Sequence, residues 1–502
     1  MSPQLSKSLA AALSLAIIVP ALPVSGKPKA APTPTPAAAR QNQQAHQEVL
    51  KLTLRKAIAL AIENNLAIKV AEFEPDIAEA RITTAGGTFD PTLEIGGGHN
   101  VSNSSTNETQ AGNYYANISG KSVWGTQYSV GITGTTTRYS DYWSESGLSL
   151  TQPLLRGFGT AVNLASLHIA RNNREISEWD FKQEVINVVT ETVYYYNELY
   201  SALRNYEAKK RSRDLALELC KEEEARAEIG VKVALDVITA QAEAASREEA
   251  VILAKNDIEN NERYLKQLIT CDTRTLLFTP VDITPPPESV TGDLDVDAGV
   301  RDALKERPDY QQALISLKTR NINIVTARNG TLPSLNLVAS LDLLGVNARD
   351  LAGSMRYWDN GVRNPEDWSL GAVFSVPLGN RAAKGSYKEA KLLKAQALVN
   401  LKKLEQSIMV DVAYAAGEVN TARKRIDSTQ EALRLAQESL DAGRKRHEAG
   451  KATTYEVLQL QKSMTESEAS LINAQADYRK ALSEYDRQTG VTLLRNAVQI
   501  TH

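Results

Sequence analysis

A pattern stated twice constrains this 502-residue chain more than any other feature. Ala61, Ala71, Ala85, Pro91 and Leu93 return at constant spacing as Ala303, Ala313, Ala327, Pro333 and Leu335. Further along, Tyr194, Glu198, Leu215, Glu218, Arg226, Gly230, Val237, Gln241 and Asp257 return as Tyr414, Glu418, Leu435, Glu438, Arg446, Gly450, Val457, Gln461 and Asp477. Two helix–strand–helix units in tandem point to an object with internal pseudosymmetry, such as a tube, rather than to a catalytic cleft.

Each unit opens with short amphipathic helices. Leu54, Ala57, Ile58, Ala61 and Ile62 share one helical face over Leu52–Glu63, with Thr53 placed to cap it. A second helix is expected from about Asp76 to Ala85, stopping at Gly86-Gly87. Their counterparts are Val296–Glu306 and Tyr310–Arg328.

Strands follow. Leu335, Leu337, Ala339, Leu341 and Leu343 alternate with smaller or polar residues, as do Trp368, Leu370, Ala372, Phe374 and Val376. At about 9 to 11 residues such strands reach across a bilayer with tilt, and the same alternation also suits a half-buried sheet in a soluble sandwich. The first unit has strands near Pro91–Asn103 and Gly147–Leu154. It is about 18 residues longer between its prolines, which fits an additional hairpin, Tyr114–Lys121 with Thr126–Arg138. That hairpin reads equally as a surface loop or as extra wall in a barrel.

The remainder is helix on a large scale. Residues 161–228 and 382–449 contain no proline and are dominated by good helix formers. A helix of this length runs for about 100 Å. Gly230 and Gly450 then break the pattern, and second helices of about 35 residues return to Thr270 and Thr489. Stripes such as Leu215, Ala216 and Leu219, or Leu433, Ala436 and Leu440, need neighbouring helices to cover them. Several identical chains closing into a ring would cover the stripes and the strand edges together. The Tyr194-Tyr195-Tyr196 run fits packing between helices better than a ligand cage.

Lys7, the apolar Leu9–Leu22 and the small Val24-Ser25-Gly26 make residues 1–26 an expected export signal. Residues 27–47, rich in Pro, Ala and Thr, read as an extended leader. The organisation is then a first repeat at 48–270, a proline-rich surface linker at 271–294, a second repeat at 295–490 and a tail at 491–502. A net charge of -3 argues against nucleic acid as a partner. Cys220 and Cys271 are too few and too far apart for a cysteine metal site or an internal disulfide. Aromatic residues are 6 % of the chain, with 18 Tyr against 6 Phe, a bias that suits wet or membrane-rim surfaces.

Four local motifs, in order and paired, carry a family likeness. They are Leu52-Thr53-Leu54-Arg55-Lys56-Ala57-Ile58 with Asn64-Asn65, and the joint Leu150-Thr151-Gln152-Pro153-Leu154-Leu155-Arg156-Gly157. Its partner Ser375-Val376-Pro377-Leu378-Gly379-Asn380 follows, and the bends Ile229-Gly230…Leu235-Asp236-Val237 and Ala449-Gly450…Tyr455-Glu456-Val457 complete the set. From about Leu52 to Leu494 the chain resembles the TolC-type outer-membrane efflux proteins.

That resemblance implies a mostly α fold with a membrane β-barrel: a homotrimer sharing one barrel, four or more strands per protomer, continued by a long periplasmic α-helical barrel. It implies a passive exit duct for drugs, metals or polypeptides, with no enzymatic activity and no cofactor. The implied partners are outer-membrane lipid, a periplasmic adaptor (membrane fusion) protein, and an inner-membrane transporter of RND, ABC or MFS type.

By the same resemblance Asp236 and Glu456, just past the two bends, fall where inward carboxylates ring a closed constriction. Like charges close together repel by about 1 kcal/mol per pair even in water, so such a ring would favour cations. Helix capping is the plainer role for both. The tips Gly230, Val231, Lys232 and Val233, with Gly450, Lys451, Ala452 and Thr453, would meet the adaptor; otherwise they are exposed turns. Some family members lock the closed end with tyrosine–aspartate and arginine links. Here the matching positions hold His447 and Ala452, so a different lock using Arg446, His447 or Lys451 is one reading and a solvated outer face the other. No partner at helical spacing makes His447 a metal ligand.

An adaptor or coiled-coil scaffold of an export system is the rival function, but an adaptor has one hairpin between compact β-domains, not two hairpins with amphipathic strands. The five histidines do not cluster, and no nucleophile triad, phosphate loop or HExxH motif occurs.

Overall fold

The computed structural model describes residues 50–103, 108–137, 142–228, 234–272, 274, 279–287, 294–348 and 366–498. The expected signal and leader lie outside them.

A short strand β1 (Leu50–Leu52) leads into α1 (Leu54–Asn64), whose N-cap Thr53 accepts the Lys56 amide at 3.2 Å. Asn65 then caps α2 (Leu66–Gly86), accepting the amides of Ala67 and Ile68. α2 therefore begins ten residues before the expected start at Asp76 and runs through Pro75. Pro75 is buried together with Ile68 and Ala78 on one side of the helix, so packing offsets the hydrogen bond that proline removes.

Strands β2 (Thr92–Asn103), β3 (Glu108–Lys121), β4 (Gln127–Thr137) and β5 (Tyr142–Pro153) come next. A single turn, Thr160–Asn163, precedes the 64-residue α3 (Ala165–Glu228), which pairs with the 36-residue α4 (Ala234–Ile269). In the linker lies β6 (Val281–Ile283), and the second unit then repeats the plan with α5 (Val296–Glu306), α6 (Pro308–Gly330), β7 (Ser334–Ala348) and β8 (Glu366–Ser375). The 68-residue α7 (Arg381–Glu448) and the 36-residue α8 (Thr454–Thr489) form its hairpin.

The duplication is visible in the packing. Ala61 of α1 and Ala303 of α5 are both fully buried, each where a short helix lies on the long helices of its own unit. Around Ala61 the core holds Leu52, Val185, Ile186, Val189, Leu199 and Leu265; around Ala303 it holds Ile408, Val412, Val419 and Tyr485. Each such fully buried aliphatic or aromatic side chain contributes about 1.5–3 kcal/mol. Tyr196 sits in the first core with its hydroxyl donating to the Thr284 carbonyl at 2.7 Å, and Tyr195 stacks on Tyr264 of α4, so these two tyrosines pack between elements while Tyr194 is exposed.

Two segments depart from expectation. The linker is not merely a surface connection, because β6 pairs in parallel with β1 and Ile283 is buried. The expected tail returns to the core through a helical turn, Thr492–Arg495, which buries Thr492 and Leu493. Cys220 and Cys271 are both free thiols.

The large sheet has the order β2-β3-β4-β5-β7-β8, antiparallel throughout. The extra hairpin is thus β3–β4, inside the sheet. Register places Leu93, Ile118, Val130, Leu148, Leu341 and Trp368 in one row on one face. The adjoining row on the other face is Thr92, Ser119, Ser129, Ser149, Ser340 and Ser369. Period-two alternation therefore gives the sheet one apolar and one hydroxyl-rich side. Among the described residues no helix is long and apolar enough to cross a membrane.

Candidate functional site at the hairpin tips

The α7–α8 turn is built by local rules. Gly450 has φ 70°, the left-handed conformation that ends a helix, with its amide on the His447 carbonyl at 2.9 Å. Lys451 donates its amide to the Arg446 carbonyl at 2.8 Å, and the Arg446 guanidinium returns a bond to the Lys451 carbonyl at 3.3 Å. Thr453 then caps α8 by accepting the Glu456 amide at 3.2 Å. Lys451 and Thr453 are exposed and Ala452 is half-buried, so three of the tip residues line an outward turn. Gly230, Val231, Lys232 and Val233 lie outside the described residues.

Asp236 and Glu456 each occupy the first turn of the returning helix, α4 and α8, where a carboxylate also complements the helix dipole. Glu456 is exposed and Asp236 half-buried. The equivalence seen in the sequence thus holds in helical position.

His447 does not lie on a solvated outer face. It is buried, with Nε2 3.4 Å from Oε1 of Glu223, a residue of α3 that is fully buried. Arg226 donates to the same Glu223 oxygen at 3.1 Å and stands 3.5 Å from Nδ1 of His447. The cluster ties the end of α3 to the end of α7. Arg446, at the repeat position of Arg226, instead remains exposed and braces its own turn. His447 therefore has a partner on the neighbouring hairpin, while Arg446 braces its own bend.

About three helical turns beyond α4's first turn lies a second junction that sequence reasoning missed. Arg247 is 7 % exposed and its guanidinium reaches three helices. It donates to the Ser212 carbonyl of α3 at 3.1 Å, to Gln461 Oε1 at 2.9 Å and the Leu458 carbonyl at 3.1 Å of α8, and to Glu243 Oε1 at 3.1 Å of α4. Its repeat position holds Ser467, so the tie exists once per chain. Broken symmetry was the available signal.

At the other end of α8, burial pushes the Asp486 carboxyl up from 3.8 to about 7, with Arg495 at 2.8 Å pulling it down. A carboxyl that holds its proton more tightly folded than unfolded stabilises the fold fully below the unfolded value of 3.8 and loses that contribution as pH rises through about 7. The wild type should therefore lose stability relative to Asp486→Asn between pH 5 and pH 8. Thermal unfolding of both proteins at the two pH values checks this; a constant difference would mean that Asp486 stays ionised against Arg495.

Comparison with known proteins places this geometry. A profile of the family described as "Outer membrane efflux protein" matches residues 57–270 and 299–490, one segment per repeat. The probable efflux pump outer membrane protein TtgC of Pseudomonas putida is 25 % identical over 299 residues, covering 59 % of this chain and 54 % of that protein. The outer membrane protein TolC of Escherichia coli is 25 % identical over 261 residues, covering 50 % of this chain and 51 % of its own length. The chain thus spans about half the length of these relatives. In three dimensions the CmeC outer membrane channel of Campylobacter jejuni matches 88 % of this chain and 86 % of its own, with a TM-score of 0.68 at 19 % identity.

Proposed function

The chain belongs to the outer membrane efflux protein family, and on that premise we propose that it is a passive, homotrimeric exit duct of a tripartite efflux or type I secretion system. Its sheet spans the outer membrane, its helical hairpins line a periplasmic tunnel, and its tips dock a periplasmic adaptor that couples it to an inner-membrane transporter. The duct performs no covalent chemistry and needs no cofactor; its transporter chooses the cargo.

The observation that carries this reading is the set of faces a single copy leaves uncovered. Leu66, Val70, Phe73 and Ile77 form a stripe on α2, and Leu392, Val399, Val410 and Tyr414 another on α7, all exposed. Helices of 21 and 68 residues with such stripes need lateral neighbours to cover them, and identical copies supply them. Cell fractionation tests the reading: a heat-modifiable trimer in the outer-membrane fraction supports it, whereas residence in the inner membrane would favour an adaptor.

Three copies place six carboxylates, from Asp236 and Glu456, near one axis. The Asp236→Asn/Glu456→Gln double variant should lower the cation-to-anion permeability ratio in planar bilayers about two- to five-fold. An unchanged ratio would remove both residues from the constriction.

At the tip, Lys451→Glu with Thr453→Asp reverses the surface charge while keeping a capping side chain at 453. Export in cells should fall at least about tenfold while trimer yield stays normal. Undiminished export would show that the adaptor binds elsewhere.

A further inference from the structure

The strands β3 and β4 are wall rather than appendage. They lie between β2 and β5 with continuous pairing, Leu93 to Ile118 to Val130 to Leu148. Their apolar residues Ala116, Ile118, Val130 and Ile132 fall on the same face as those of the other strands. The turn that joins them is fastened to the strand-to-helix joint, where Gly159 donates its amide to the Trp124 carbonyl at 3.2 Å and Trp124 packs 6.4 Å from Phe158.

We infer that the membrane barrel closes from eighteen strands, six from each of three copies, with β8 of one copy hydrogen-bonding β2 of the next, and that it forms a wide mouth. The inference rests on the trimeric duct proposed above. Strand direction alternates across the whole order, so β8 and the next copy's β2 meet antiparallel and continue the meander. An unpaired edge in lipid leaves backbone groups unsatisfied at several kcal/mol each, which forbids an open sheet. Six strands cannot close alone, because the smallest such barrels have about eight.

Strands about 4.8 Å apart and tilted about 40° give an eighteen-stranded wall a backbone diameter of about 36 Å, against about 24 Å for twelve. The face opposite the apolar one carries Thr92, Ser119, Ser129, Ser149, Ser340 and Ser369 in one row. The neighbouring rows on that face add Glu94, Tyr115, Asn117 and Asp342, and none of these side chains is long enough to reach across a bore of about 36 Å. The exit then sieves little, and the narrow part of the duct is left to the hairpin tips.

Cryo-electron microscopy of the full chain in lipid nanodiscs counts the strands directly. Eighteen strands are expected; a trimer with twelve, and Glu108–Thr137 outside the wall, overturns the inference and leaves the duct intact. A particle without threefold symmetry overturns both. Cysteine pairs provide a second reading, with Cys220 and Cys271 first replaced by serine. Ile95→Cys combined in turn with Trp368→Cys, Leu370→Cys or Ala372→Cys should give a disulfide-linked trimer ladder. A ladder from Ala116→Cys on β3, with none from Ile95→Cys, would exclude the β2 seam.

Discussion

Arg247→Ala should open the lower half of the hairpins, with local stability falling by about 3–5 kcal/mol. The guanidinium reaches α3, α4 and α8 together, through Ser212, Glu243, Leu458 and Gln461. Removing it leaves Gln461, itself 3 % exposed, with its amide oxygen unsatisfied in a site water does not easily reach. Arg247→Met keeps much of the volume but none of the donors, so it should behave like alanine if the bonds matter and like wild type if packing does. Hydrogen exchange across α4 and the start of α8 reads the difference. Protection equal to wild type in both variants would mean that the apolar contacts of Leu219, Val457 and Leu458 suffice.

The second large effect is expected at Gly125. Its φ is 93°, and a Cβ built there would stand 2.3 Å from the Gly157 carbonyl oxygen and 2.8 Å from Asn163 Nδ2. Asn163 is itself fixed by donating to the carbonyls of Gly157 and Gly159, both at 2.9 Å, so neither neighbour yields cheaply. Strain of about 1–3 kcal/mol for the backbone conformation adds to the clash. Gly125→Val should abolish heat-resistant trimers, because the β3–β4 turn can no longer seat on the joint. Gly371→Ala, in the same sheet with open space where its Cβ would go, is the control expected to assemble normally. Equal trimer yield from both variants would detach the turn from barrel assembly.

Much of the architecture was legible because it is local or periodic. Helix lengths followed from proline-free runs, the bend at Gly450 from glycine after the last apolar repeat, and the second unit from its likeness to the first. What escaped was non-local. A three-residue strand such as β1 has no signature apart from its partner β6, more than two hundred residues away. The place of β3–β4 in the sheet depends on which edge β2 and β5 offer, and alternation alone does not rank partners. The expected start at Asp76 misses the first ten residues of α2, which runs through Pro75 with that proline buried beside Ile68 and Ala78. At the tips, position along the helix was readable for Asp236, Glu456 and Thr453. Whether His447 faced water or Glu223 depended on how two hairpins lean together, which no spacing within either one reveals.

A single copy is incomplete, and native mass spectrometry of the protein extracted from outer membranes should show it. One dominant species of three chains is expected, with no folded monomer persisting after detergent is withdrawn. A stable, folded single subunit of at most 54.8 kDa under those conditions would contradict it.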